Sequence, residues 1–549
     1  MSQKVTVTVK EGKIRGFKTK SVYSGVEYYS FFGVPYGQST AGLARFKDPV
    51  KVKPWNTILD ATSQKQGCLQ FSLRKQNITG DENCLYNNIH TTEINPKYDN
   101  LKAVIVNIHP GGFFHGSPDP HYYGSPGYII NRNIVYVSVG FRLHLLGHLN
   151  LNLKNHCTGN QSLKDIILSL EWIRDNIRVF GGDPGNITLL GSSSGSAIVH
   201  FLLLSPLAKG LYHKAILMGM YVFNPTLITC NEHIALAYKM AREQGYEGKI
   251  EDKRKLLNFL KQFRVDLYLL SKLHQMRDYY TGLPVFPTSP FIPLGESSDR
   301  SPLPLSPEKL IGSTNRVPIM VGFCEREGAM GVALLAKLER SLSKLFHKCL
   351  CQNVWGWGAN LNEDESKQIQ QQVENFYVDG KSLDEASHST KCDILTDVAL
   401  SDVYDTLINV ISSDASSPVY VYNFAYDGKL CVMKKKISPY MEKPLDGAFH
   451  AADYAYWCSD ENRMGGSADQ QHPKDRKMID TLTNLFTTFA KNGNPNNVDM
   501  QVNWEPSKPE SPCYLNINEE LEMKHELLNG KRMEFWHTLK KQFGEHREK

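Results

Sequence analysis

The apolar positions of this chain gather into short runs, separated by longer stretches in which they recur at helical spacing. KAVIVNI (Lys102 to Ile108) and NIVYVSVG (Asn133 to Gly140) are short, rich in β-branched residues and apolar nearly throughout, the pattern of strands buried on both faces. SLKDIILSLEWIRDNIRVF then sets Leu163, Ile166, Ile167, Leu170, Ile173 and Ile177 along a helix. NITLL (Asn186 to Leu190) and KAILMG (Lys214 to Gly219) predict two further strands, with a helix from about Ser194 to Leu204 between them. VPIMVGF (Val317 to Phe323) and PVYVYNF (Pro418 to Phe424) predict two more, and the N-terminal MSQKVTVTVKEGKIRG, alternating valine with polar residues, predicts a β-hairpin.

Strands alternating with helices predict an α/β fold, a large and mostly parallel central sheet flanked by helices, with ligands bound beyond the carboxyl ends of the strands. Residues 225–310 and 335–415 are helix-like and rich in polar side chains, and are expected to form helical insertions around that end. No internal repeat or low-complexity linker interrupts the pattern.

Composition narrows the function classes. With 41% hydrophobic and 22% charged residues the chain can bury a large core, and disorder is not expected. A net charge of +5 over 549 residues, without a basic stripe, argues against a nucleic-acid partner. The one dense cationic run, Lys434 to Lys436, reads as a solvated loop beside a strand. The N-terminus lacks the apolar core of a signal peptide, no apolar run reaches membrane-spanning length, and GEHREK carries no lipidation or retention signal. A cytosolic protein is the expectation, and in that compartment the N-x-S/T triplets at Asn77, Asn160 and Asn186 carry no meaning. Eleven cysteines with no CxxC pair argue against a zinc framework and against a fully paired disulfide set, although Cys68 and Cys84 could close a loop.

The candidate chemistry begins where NITLL runs into GSSSGSAIVHF. Gly191, Ser193 and Gly195 fit G-x-S-x-G, a pattern that about 0.2 matches per chain of this length would supply by chance. Its place after a predicted strand and at the start of a predicted helix is what gives it weight. That is a nucleophile elbow, in which flanking glycines admit a strained turn and leave the central hydroxyl exposed. Ser193 is the candidate nucleophile, while the Ser192 and Ser194 side chains read as small turn residues. An acyl-transfer serine also needs N–H donors for its oxyanion. NIHPGGFFHGS, directly after KAVIVNI, offers Gly111 and Gly112, with the Ser194 N–H as a third; the bland alternative is an ordinary glycine turn. The acid and base would follow in chain order. VPIMVGF ends in CEREGAMG, which offers Glu325 and Glu327, and LDGAFHAADYAYW places His450 among small residues, one of 18 histidines.

Read together, these segments resemble the type-B carboxylesterase and cholinesterase family, nearly end to end. FFGVPYGQSTAGLARFKDP is similar to its F-x-G-I-P-Y-A and R-F motifs, and DENCLYNNIHT to its E-D-C-L-Y-L-N-V. GFRLHLLGHL, GNQSLKDIILSLEWIRDNIRVFGGDPGNITLLG, NGNPN with Trp504, and Arg532 to Trp536 follow in family order. The resemblance implies an α/β-hydrolase fold in a single domain over residues 1–549, and a catalytic triad of Ser193, Glu327 and His450. It implies an oxyanion hole of Gly111, Gly112 and Ser194, a Cys68–Cys84 disulfide, and structural ion pairs Arg45–Glu82 and Arg142–Asp165. No metal or organic cofactor is implied. The oligomeric state has no signature in the sequence.

Several positions depart from the family pattern. Ser192 stands where glutamate is usual before the nucleophile, Pro110 replaces the first glycine of H-G-G-G, and LMGM (Leu217 to Met220) replaces Q-S-G, which is expected to put a methionine near the pocket wall. The segment from Cys68 to Cys84 has no tryptophan to bind quaternary ammonium, so choline esters are poor candidates. The resemblance therefore points to intracellular carboxylesterases of the kind insects use on dietary or foreign esters. A serine carboxylic-ester hydrolase acting on a small-molecule ester is the first reading. A binding or sequestering protein on the same scaffold, acylated or phosphorylated at Ser193 and slow to turn over, or only holding apolar ligands, is the second, supported by Ser192 and the Met218 region. The adhesion relatives of the family fit poorly, because they lose triad residues and carry secretion and membrane segments.

Overall fold

Each apolar run singled out above is a strand of one 13-stranded sheet. The computed structural model describes residues 3–544 apart from 73–76, 98–99, 121–123, 223–232, 263, 265–292, 297, 338–340, 352–360, 404–406, 409–416, 442, 459–471 and 499. Along its main path the strands are β1 (Lys4–Val9), β2 (Gly12–Lys20), β3 (Glu27–Pro35), β4 (Tyr86–Thr91), β5 (Lys102–Ile108), β6 (Val135–Val139), β7 (Gly182–Ser192), β8 (Lys214–Met218), β9 (Ile319–Cys324), β10 (Val419–Phe424), β11 (Tyr514–Ile517) and β12 (Leu521–Lys524). Their order is β1-β2-β3-β4-β6-β5-β7-β8-β9-β10-β11-β12, with the two-residue strand Leu59–Asp60 beside β2. Strands β6 to β11 pair in parallel, and β1 to β4 and β12 add antiparallel edges. Every residue of β5, β6, β8 and β9 is buried, as continuous apolar runs require, and each buried Val or Ile contributes about 1.5–3 kcal/mol relative to exposure.

The helices that bear on the site are α1 (Gln161–Asn176), α2 (Ser194–Leu204), α3 (Ala329–Lys337), α4 (His388–Val403), α5 (Ala452–Trp457), α6 (Pro473–Asn492) and α7 (Lys531–Gly544). The predicted apolar spacing lies on α1, which tightens into a 3-10 turn at Ile177–Phe180 and ends at Gly181 with φ 75°. Helix α2 is buried along its whole length against β7 and β8, consistent with its nearly all-apolar composition. Helices His233–Glu243, Lys253–Gln262, Leu342–Cys351 and Glu363–Val378 occupy parts of the two stretches expected to form walls; other parts of those stretches lie outside the described residues.

Cys68 and Cys84 are joined in a disulfide. Arg142 and Asp165, 3% and 0% exposed, pair at 2.6 Å, and Arg45 pairs with Glu82. Asn160 is buried, with its amide donating to Glu296 at 2.9 Å, so that sequon is closed to modification in the folded chain. The lysine run departs from expectation. Lys434 to Lys436 lie in the helix Val432–Ile437, whose first turn is capped by the Cys431 sulfur accepting the Lys434 N–H. Lys434 is not simply solvated: its ammonium pairs with Asp427 at 2.5 Å and donates to the Gly447 carbonyl at 3.2 Å.

Candidate active site

Strand β7 ends at Ser192 and α2 begins at Ser194, so the reversal is confined to Ser193, at φ 54° and ψ −129°. A non-glycine residue holds such a conformation at a cost of about 1–3 kcal/mol, and only where its surroundings over-determine it. Here the Ser193 N–H donates to the Met218 carbonyl at 2.8 Å, and its own carbonyl accepts the Ala197 N–H at 3.1 Å. The flanking glycines are steric requirements. A Cβ on Gly191 would lie 2.2 Å from the Gly195 carbonyl oxygen, and one on Gly195 would lie 2.2 Å from that of Ile108.

His450 Nε2 lies 3.0 Å from Ser193 Oγ, and His450 Nδ1 lies 2.5 Å from Glu327 Oε2. The second carboxylate oxygen of Glu327 accepts the Cys324 N–H at 2.8 Å, which fixes its orientation. His450 and Glu327 are 3% and 1% exposed, a setting in which hydrogen bonds to charged groups are strong. Glu327 follows β9, and His450 precedes α5. Their loops are joined directly, since the Arg326 N–H donates to the Ala448 carbonyl at 2.9 Å and Arg326 and Phe449 form a parallel bridge. Glu325, the other acid offered by the sequence, is exposed and lies against Gly447 instead.

Gly111 and Gly112 adopt φ 136° and 59° at the end of β5. A Cβ on Gly111 would lie 1.8 Å from the His115 carbonyl oxygen, so only glycine fits this turn. The Gly111 carbonyl accepts from Phe114 and His115, each at 3.1 Å, whereas the N–H groups of Gly111 and Gly112 meet no acceptor among the described residues. The Ser194 N–H opens α2 and is one of the first four amides, which have no intrahelical partner. Pro110 leaves this arrangement intact, and its carbonyl accepts from His109 Nδ1 at 2.9 Å.

Sequence reasoning missed two supporting residues. Gln70, 5% exposed, clamps the glycine loop: its amide nitrogen donates to the Gly116 carbonyl at 2.7 Å and its amide oxygen accepts the Gly116 N–H at 2.8 Å. The same nitrogen donates to the Cys68 carbonyl at 2.9 Å, tying the disulfide to the loop. No local pattern marks such a glutamine. Asp453, 1% exposed, accepts from the Tyr422 hydroxyl at 2.7 Å and the Tyr454 N–H at 2.8 Å. Burial, reinforced by the charge of Glu327, pushes its carboxyl up to about 6 despite the Tyr422 bond. Its position three residues after His450 was the available signal.

Ser192 is 1% exposed and its hydroxyl has no partner among the described residues. Met218 and Met220 are both buried in the main core, the Met218 carbonyl accepting the Ser193 N–H at 2.8 Å, and Gly219 between them lies against the acid and base. A Cβ there would lie 3.2 Å from Glu327 Oε1 and from His450 Cε1. Among the described residues no three His, Cys, Asp or Glu side chains are grouped to hold a metal ion, and no helix is long and apolar enough to cross a membrane.

A mostly parallel sheet with a serine on its central strand-to-helix elbow, facing a glutamate and a histidine from later loops, is an α/β-hydrolase. The chain belongs to the carboxylesterase family, whose model matches residues 3–536, and is a carboxylic ester hydrolase. It is 29% identical to Esterase E4 of Myzus persicae over 523 residues, 91% of this chain and 88% of that one. It is 28% identical to the juvenile hormone esterase of Tribolium castaneum over 512 residues, 88% of this chain and 83% of that one. The crystal structure of juvenile hormone esterase from Manduca sexta, with OTFP covalently attached, superposes with a TM-score of 0.83 at 26% identity, covering 98% of this chain and 99% of that chain.

Proposed function

We propose that the chain hydrolyses small or medium apolar carboxylic esters, of dietary, foreign or signal origin, through an acyl-enzyme on Ser193. The observation that carries this reading is the continuous chain from Ser193 Oγ to His450 at 3.0 Å and from His450 to Glu327 at 2.5 Å. His450 Nε2 takes the hydroxyl proton as Oγ attacks the ester carbonyl, and Glu327 holds the imidazole by Nδ1–H and stabilises its cation. The N–H groups of Gly111, Gly112 and Ser194 receive the oxyanion. The proton passes from His450 to the departing alcohol, and His450 then activates water to release the acid and restore Ser193. The covalently attached OTFP in the Manduca sexta protein supports a covalent route, and the juvenile hormone esterases among the relatives support signal esters within the substrate class.

The second reading, sequestration with slow turnover, draws on the unpartnered hydroxyl of Ser192 beside the nucleophile. Steady-state and burst kinetics on naphthyl butyrate, beside Ser193→Ala, separate the two. Sustained turnover that falls at least about 10⁴-fold in the variant supports the esterase. A stoichiometric burst followed by little turnover supports sequestration. The Cys68–Cys84 disulfide weighs against the cytosolic expectation, since such bonds persist in oxidising compartments.

A further inference from the structure

The residue before the candidate acid is Arg326, and its charge has a destination. The Arg326 guanidinium donates to Asp393 at 2.8 Å, and Asp393 lies on α4. Three residues further along the same helix, Thr396 Oγ1 accepts the Gly328 N–H at 2.9 Å and donates to the Cys392 carbonyl at 2.7 Å. Both chain neighbours of Glu327 are therefore held by one face of one helix. The approach is close, since a Cβ on Gly328 would lie 2.4 Å from the Cys392 carbonyl oxygen. Arg326 also bonds the segment ahead of His450 through its N–H.

The same helix is anchored to the C-terminal segment. Asp393 accepts a second guanidinium, that of Arg532 at 2.8 Å, and Arg532 also pairs with Asp397 at 3.0 Å. Asp397, fully buried, further accepts from Asn529 at 2.7 Å and from the Tyr377 hydroxyl at 2.6 Å, and the Trp536 indole donates to that hydroxyl at 2.8 Å. Asp393 thus joins Arg326, beside the acid, to Arg532 on α7.

We infer that α4 is the strut that sets the catalytic acid: Thr396 and Asp393 are positioning residues that hold Glu327 against His450, with α7 bracing them from behind. This rests on the assignment of Glu327 and His450 to the hydrolytic reaction. The physical reason is the sensitivity of a 2.5 Å contact between two buried groups. A displacement of the acid loop by a fraction of an ångström weakens the hold on the imidazole, and misplacement of about 1 Å by a distant change can cost about 100-fold in rate.

The test compares Thr396→Val, which deletes the acceptor of the Gly328 N–H at nearly constant volume, with Thr396→Ser, which keeps it. Thr396→Val is expected to lower kcat about tenfold with KM within about twofold, because Thr396 does not touch substrate, and Thr396→Ser to restore kcat to within about twofold. A second readout does not depend on turnover: the downfield proton resonance of His450 Nδ1–H, assigned by its loss in Glu327→Gln, should shift in Thr396→Val and stay in place in Thr396→Ser. Asp393→Asn, expected to lower kcat about threefold, serves if Thr396→Val fails to fold. Unchanged kcat and resonance in Thr396→Val and in Asp393→Asn, or equal losses in the Val and Ser variants, would overturn the strut. If the wild-type chain lacks turnover while the resonance still responds to Thr396→Val, it is the hydrolytic assignment that fails and not the positioning.

Discussion

Gly195, in the first turn of α2, lies so close to Ile108 at the end of β5 that a Cβ on it would sit 2.2 Å from the Ile108 carbonyl oxygen. The same Cβ would lie 2.8 Å from the His109 carbonyl oxygen. The helix that carries the candidate nucleophile is thereby seated on the strand that leads into the glycine loop, and one contact holds Ser193 and the Gly111 and Gly112 turn, the proposed oxyanion donors, in register. Gly195→Ala is expected to force these apart, with kcat lowered at least about 100-fold and stability lowered by about 1–3 kcal/mol. Kinetics on naphthyl butyrate with a parallel thermal melt check this; a variant with wild-type kcat would show that the seat is not needed.

Gln70 supports the same loop from the other side. Gln70→Leu leaves the buried N–H and carbonyl of Gly116 without partners, each at a cost of about 1–3 kcal/mol. We expect lower urea midpoints and a lower kcat, with the rate loss exceeding any fall in the fraction folded. Equal rates per folded molecule would confine Gln70 to a stability role.

Buried histidines set the expected pH dependence of stability. Burial lowers His90 and His200 to about 3, and His109, His144 and His233 to about 4, from an ordinary value of 6.5. The folded chain keeps these rings neutral while the unfolded chain protonates them. Their stabilisation is complete above pH 6.5 and is lost as pH falls, by about 1.4 kcal/mol per ring per pH unit. Asp397 and Asp453 act in the opposite sense: burial raises them to about 7 and about 6, so their ionisation costs the folded state above those values and the cost disappears on acidification. The rings outnumber the acids. The thermal midpoint should therefore fall steeply between pH 6.5 and pH 5, and scanning calorimetry over that range that found it flat or rising would refute the account.

The Arg142–Asp165 pair is buried on both sides, so removing one partner strands a charge. Asp165→Asn is expected to destabilise the fold by about 3–5 kcal/mol, whereas the joint replacement Arg142→Met with Asp165→Leu should recover most of it. Denaturant unfolding of the three proteins measures both. If the single and double variants lost the same stability, isolation of the charge would not be the cause.

Much of this architecture was legible in the chain because its cues are local. Continuous β-branched runs such as KAVIVNI can only be buried on both faces, and Gly191 and Gly195 announce the elbow because no side chain fits there. Other features carry no local cue. Lys434 to Lys436 read as a loop because charge suggests solvent, yet Asp427, the Gly447 carbonyl and the Cys431 cap make the segment helical. The burial of Met218 was legible, since it ends a strand whose residues are all buried, but its backbone bond to the Ser193 N–H had no cue in the sequence.

What the sequence determined by itself is the order of strands and helices, the elbow serine, the glycine loop and a short set of acids and bases, because periodicity and steric permission act between near neighbours. The local pattern left Glu325 and Glu327 open and the family resemblance selected Glu327; only the tertiary structure supplied the physical reason that this acid faces His450. Glu325 and Glu327 are two residues apart and chemically alike, and what separates them is the reversal after Cys324 that returns Glu327 to the Cys324 N–H. The tertiary structure alone also revealed Gln70, Asp393 and Thr396 as supports, since their partners lie 46, 67 and 68 residues away along the chain. Hydrogen bonds between distant segments form only after the sheet has brought its carboxyl ends together, and nothing in the local sequence foretells them.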